Sequence, residues 1–347
     1  MKKLIIAITV ILLCATPSFA TDYYGGAAGK NLNANDLWYE AVSGSCTGSG
    51  SAVASSTVLQ AGNNLYANGC TIAITDSFTA TKISTENGGA ANAVAGGGFT
   101  LTTASVTGKT LTANIVAGDS ACLTLTGNGA GTPVLTIIGN LTGGTGSANY
   151  AVTTNHSVGT LNIGSSGTPS TITGGGNISA YGVYNTATGP ITSYASIVGA
   201  TSVGWSNNGN ATVSITGSAT GVGNVNGYNN SSTGATTLTG NCVGSSTGYG
   251  MGCYAANTGA ITVVGNIVNG TRGVGAGGTI VWNPTPPANE QTGHYVKFDG
   301  GGTAVFAGKN TDDASKALTT FYYIDPTDGS SDQGSSTGSG GGGAWLF

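Results

Sequence analysis

Short runs with a small polar residue at the centre recur along the middle of the chain: Leu135-Thr136-Ile137, Leu161-Asn162-Ile163, Ile191-Thr192-Ser193, Val213-Ser214-Ile215, Thr236-Thr237-Leu238 and Ile261-Thr262-Val263. From Ile137 onward their last residues are spaced by 26, 30, 22, 23 and 25 positions. Alternation with a period of two marks a half-buried strand, because successive side chains point to opposite faces. A period of about 20–30 residues made of strands and turns predicts a stacked solenoid rather than a single closed globule. Leu135, Ile137, Leu161, Ile163, Val213, Ile215, Leu238, Ile261 and Val263 then point inward. Thr136, Asn162, Thr192, Ser214, Thr237 and Thr262 form an outward column of small hydrogen-bonding side chains. Gly139, Gly217, Gly240 and Gly265 follow the runs, where a corner calls for positive φ.

A second landmark keeps similar time. Asn155, Asn185, Asn208, Asn230 and Asn257 each precede the next run; asparagine tolerates left-handed backbone and bonds locally, so these read as turn residues. Tyr181, Tyr184, Trp205, Tyr228 and Tyr254 lie close to them. They form either an outward aromatic row able to stack on sugars or a stack inside the coil; periodicity alone leaves both open. Leu123-Thr124-Leu125 stands only twelve residues ahead of Leu135-Thr136-Ile137, too few for a full turn, so the two runs belong to different faces.

The flanks differ in character. Residues 1–20 carry Lys2 and Lys3, an apolar stretch and Ser18-Phe19-Ala20, the pattern of an export signal cleaved after Ala20. Residues 21–62 are richer in aromatics and charge and read as an N-terminal cap, with Asp36 and Glu40 at the spacing of a short capping helix. Residues 63–285 are the solenoid. Val281-Trp282-Asn283-Pro284-Thr285-Pro286-Pro287 interrupts it, since proline cannot donate to a ladder. Residues 286–328, where charge returns, form a small β-rich C-terminal cap; residues 329–347 are a Gly/Ser linker ending in Trp345, Leu346 and Phe347. That apolar tail is the one segment suited to a membrane component or a partner, unless it folds back on the cap.

Composition narrows the function. Only 6% of the residues are charged and the net charge is -4, so no basic stripe exists for a nucleic acid. Export permits disulfides: Cys46 with Cys70 and Cys242 with Cys253 pair by proximity, which leaves Cys122 over. No cysteine pair has metal-like spacing, His156 and His294 are remote from all of them, and no cofactor motif occurs. Between Ser120 and Asn289 there is no Asp, Glu or Lys; Arg272 and His156 are the only ionisable side chains there besides Tyr and Cys. Acid–base cleavage of a polysaccharide needs paired carboxylates or an equivalent base, which these coils lack. Asp299, Asp312 and Asp313 read as solvated acids rather than catalytic or cation-binding ones.

The stretches Asn68-Gly69-Cys70-Thr71-Ile72-Ala73-Ile74, Phe78–Ser84 and Gly96-Gly97-Gly98-Phe99-Thr100-Leu101, with repeats ending Leu238-Thr239-Gly240-Asn241, resemble the repeat-rich β-helix proteins of bacterial surfaces, adhesin passengers and phage tails. The resemblance covers residues 60–285 and implies an all-β, right-handed parallel β-helix with caps at both ends. It specifies fold rather than activity. The expectation is a secreted or cell-surface, non-enzymatic module, structural or adhesive, whose partners are glycans or other surface proteins. A polysaccharide-degrading β-helix and an ice- or crystal-binding solenoid are the alternatives. The second rests on the threonine column and is weakened by the mixed neighbours Ile138, Gly164, Tyr194, Thr216, Thr239 and Val264.

Overall fold

The computed structural model describes residues 20–102, 108–127, 134–156, 159–231 and 233–243, and beyond them the backbone of strands from Met251–Cys253 to Ala344–Leu346. Residues 1–19, where the export signal is expected, and Asn257, Gly265, Asp312 and Asp313 lie outside the described residues. The fold is an all-β parallel solenoid. Its strands belong mainly to a 20-stranded and an 11-stranded sheet, here the longer and the shorter sheet. The one helix among the described residues, Ser55–Val58, is a single turn.

One turn of the coil shows how the sequence is spent. Val152–Thr154 lies in the shorter sheet, Thr160–Ile163 and Ser170–Thr173 lie in the longer one, and the chain returns to the shorter sheet at Val183–Asn185. Each strand pairs in parallel with its counterpart one turn on: Val152 with Val183, Leu161 with Ile191, Ser170 with Ala195. Parallel neighbours need a crossover, and the rest of the coil supplies it. The same layout separates Leu123–Thr126, in the shorter sheet, from Val134–Ile138, in the longer. They are two faces of one turn, as their short spacing requires.

Register is kept along the stack. The outward column runs Thr110, Thr136, Asn162, Thr192, Ser214, Thr237 and Thr262 without a slip. Its inward neighbours Ile137, Leu161, Ile163, Val213 and Leu238 are fully buried and share one core cluster with Leu123, Val152, Val183 and Trp205 of the shorter sheet. Each such side chain contributes roughly 1.5–3 kcal/mol by leaving water. A slip of one residue would turn this whole set outward, which fixes the pairing. At the corners Gly139, Gly217 and Gly240 have φ of 147°, 150° and 150°, and a Cβ there would strike the backbone of Ala113, Ala195 and Gly217 in the preceding turn. Backbone angle and close stacking both demand glycine.

The coil begins with Thr21–Gly25, parallel to Asn63–Tyr66 and antiparallel to Trp38–Tyr39. The helix expected over Asp36 and Glu40 is absent. Trp38 instead sits wholly in the core, with its indole N–H donating to the Leu32 carbonyl at 2.9 Å, and Asp36 pairs with Lys30 at 2.5 Å. Burying the tryptophan outweighs the weak helical preference of five residues. The short antiparallel strand also blunts the sheet edge. Toward the other end, parallel pairing continues beyond residues 284–287: Tyr295–Asp299 pairs with Thr271–Val274 and Thr303–Phe306 with Thr279–Asn283. Ala344–Leu346 runs antiparallel to Tyr295–Asp299, and Ser331–Ser335 and Thr337–Ser339 are strands within residues 329–343.

Candidate functional site

Strand parity divides the aromatic residues. Trp205 and Tyr228 open their strands in the column Val152, Val183, Trp205, Tyr228, Met251, which faces inward, and both are fully buried. Their rings meet edge to face at 5.7 Å, and the Tyr228 hydroxyl lies 2.7 Å from Thr236 Oγ1 across the coil. Tyr184 comes one residue after inward Val183, in the column Thr153, Tyr184, Ser206, Asn229, and therefore faces out. So the aromatic set is not one row. Trp205 and Tyr228 are core, Tyr184 and Tyr181 lie on the outside, and Tyr254 is outside the described residues.

The outer tyrosines have a partner that sequence reading passed over, Tyr150. It stands two residues before Val152 as Tyr181 stands two before Val183, an equal offset in successive turns that was legible in the sequence. The amide of Ala151 donates to the Tyr181 carbonyl at 3.2 Å and keeps the two turns aligned. Tyr150 stacks on Tyr181 at 5.4 Å and on Tyr184 at 4.6 Å, while Tyr181 and Tyr184 are tilted at 5.8 Å. All three are half-buried. Burial, then the neighbouring phenols, raises the Tyr150 and Tyr181 hydroxyls above the usual tyrosine range, so they stay protonated. Ser206 Oγ donates to Asn208 Oδ1 at 3.2 Å, and Asn208 Nδ2 donates to the Tyr184 hydroxyl at 3.2 Å. That relay occupies an acceptor position on the Tyr184 oxygen, whose own O–H remains a donor. Ile178, on the adjoining corner, is 76% exposed. The face thus offers aromatic surface and neutral hydrogen-bonding groups, and no charge.

The asparagine landmarks resolve differently from turn residues. Asn185, Asn207 and Asn230 stack in register with Thr154 inside the coil, all fully buried. Thr154 Oγ1 donates to Asn185 Oδ1, Asn185 Nδ2 to Asn207 Oδ1 at 2.6 Å, and Asn207 Nδ2 to Asn230 Oδ1 at 2.8 Å. Two of the five expected positions, Asn155 and Asn208, stand one residue beyond the ladder. Their neighbours Thr154 and Asn207 occupy it instead, because parity chooses which side chain enters the coil.

Other candidate chemistry is dispersed. Cys46 and Cys70 form a disulfide with Cα atoms 4.8 Å apart. Cys122 is buried, and desolvation pushes its thiol far up, so it is inert. Cys242 is buried beside Ala219 in the longer sheet; the Cys253 side chain lies outside the described residues, and with it the expected pairing. His156 is 1% exposed and neither ring nitrogen has a partner; burial lowers its pKa. Three of the described carboxylates, Asp36, Asp76 and Glu86, are tied to Lys30, Lys109 and Lys82, and Asp22 accepts from Asn64 Nδ2 at 2.8 Å. Among the described residues no three His, Cys, Asp or Glu side chains could hold a metal ion, and no helix is long and apolar enough to cross a membrane. A shallow groove of about 230 Å³ on the longer sheet, lined by Thr81, Thr112, Asn114 and Ile138, carries no titratable group.

No protein-family model, curated protein or solved structure matches the chain.

Proposed function

We propose that this chain is a secreted, non-enzymatic β-solenoid, a structural or adhesive module at the cell surface that presents its outer faces to glycans. The observation that carries the reading is the outer face of the shorter sheet: Tyr150, Tyr181 and Tyr184 clustered beside Ser206 and Asn208. Aromatic surface beside neutral donors and acceptors matches a sugar, which offers apolar C–H faces and hydroxyls. The wide stretch without Asp, Glu or Lys around this face supports binding over cleavage.

Two experiments test it. Fractionation of producing cells with protease shaving of intact cells, followed by antibody, is expected to find the protein surface-bound and cut; recovery only inside the cell removes the surface role. Binding of the purified chain to a panel of neutral polysaccharides is expected to weaken on Tyr184→Ala, with no release of reducing ends. Release of reducing ends by the wild-type chain would establish the polysaccharide-degrading reading instead.

A further inference from the structure

We propose that Tyr150 and Tyr184 form an oxidative coupling site, at which a peroxide-driven one-electron oxidant joins their rings as dityrosine and staples two neighbouring turns. Their ring centroids are 4.6 Å apart and their planes 19° from parallel, the closest and nearly the flattest contact of the cluster. Both are half-buried, so an oxidant in solvent reaches them. Among the competing oxidisable side chains, Trp205, Tyr228, Met251, Cys122 and Cys242 are fully buried, and the half-buried Tyr39 and Tyr194 stack on no other ring among the described residues. The molecule carries its own control. Tyr24 and Tyr66 stack at 5.2 Å and 16°, but they are only 2% and 5% exposed, and the Tyr24 hydroxyl donates to the Gly88 carbonyl at 2.9 Å.

The chemistry balances. Each phenol gives up one electron and its hydroxyl proton, leaving two phenoxyl radicals. A carbon–carbon bond forms between positions ortho to the two oxygens, and the two hydrogens on those carbons return through solvent to the oxygens, restoring both phenols. Hydrogen peroxide takes up the two electrons and two protons and becomes two waters. The product keeps both hydroxyls on the outer face. It links residues 150 and 184, constraining the unfolded chain as a disulfide does, in coils where the described Cys46–Cys70 bridge does not reach. The site holds whether or not the face binds glycans.

The test treats dilute full-length protein with a haem peroxidase and hydrogen peroxide. Readouts are dityrosine fluorescence, intact mass and elastase peptide mapping, since no Lys or Arg lies between Lys109 and Arg272. The expected product is a monomer lighter by two hydrogens, bonded between Tyr150 and Tyr184, with a raised denaturation midpoint. Tyr150→Phe and Tyr184→Phe, which keep the stacked ring, should each abolish it; Tyr181→Phe should not. Circular dichroism confirms that the variants fold. Dityrosine at Tyr24 and Tyr66, at Tyr181, or only in covalent dimers overturns the proposal, as does undiminished yield in Tyr150→Phe or no dityrosine in the folded monomer.

Discussion

Replacing Asn207 with alanine tests whether the buried asparagine ladder holds the turns together. The side chain accepts from Asn185 at 2.6 Å and donates to Asn230 at 2.8 Å, and all three are fully buried. Truncation leaves the Asn185 amide without that acceptor and the Asn230 oxygen without that donor. A buried polar group stripped of its partner costs about 1–3 kcal/mol, so two of them predict a loss of roughly 2–6 kcal/mol. A small cavity adds to it. The control is Asn162→Ala in the outward column, where the side chain makes only a 3.5 Å contact with Thr136 Oγ1; surface changes of this kind stay within about 0.5 kcal/mol. Urea denaturation followed by circular dichroism measures both. Because stacked turns can unfold separately, hydrogen exchange of the strands at 183–185, 205–207 and 228–230 should accompany it. Protection there should fall first. If Asn207→Ala lies within about 0.5 kcal/mol of the wild type, the ladder is not a cohesive element and the reasoning fails.

Other outcomes follow from the same geometry. His156 stays neutral in the fold while the unfolded chain takes up a proton below about pH 6.5; the unfolded state then binds more protons, so stability is full above that pH and falls as pH drops through it. Urea midpoints measured from pH 8 to pH 5 should show the decline, and His156→Phe should flatten it. Cys46→Ser should destabilise the N-terminal turns by about 3 kcal/mol, the effect of opening a loop of this size, readable as a lowered thermal midpoint under non-reducing conditions. Trp205→Ala should cost about 3–5 kcal/mol as a core truncation, whereas Tyr184→Ala should cost about 1 kcal/mol or less beyond its stacking, and denaturation of the two side by side separates core from surface aromatic.

The sequence by itself determined the solenoid, its period and the inward and outward sets of the longer sheet, because a two-residue alternation repeated at 22 to 30 positions buries the alternating apolar side chains only when the turns stack in register. It also located the corner glycines Gly139, Gly217 and Gly240 and the Cys46–Cys70 pair. Only the tertiary structure decided which aromatics face out. Tyr184 and Trp205 differ by a single step of parity in strands of three residues, too short for their own pattern to declare a side; the pairing of Val183 with Trp205 fixes it. The same holds for Asn207 against Asn208. Contacts between turns, such as Tyr150 on Tyr184 or Asn185 to Asn207, join residues more than 20 positions apart, and that proximity exists only once the coil has closed and stacked.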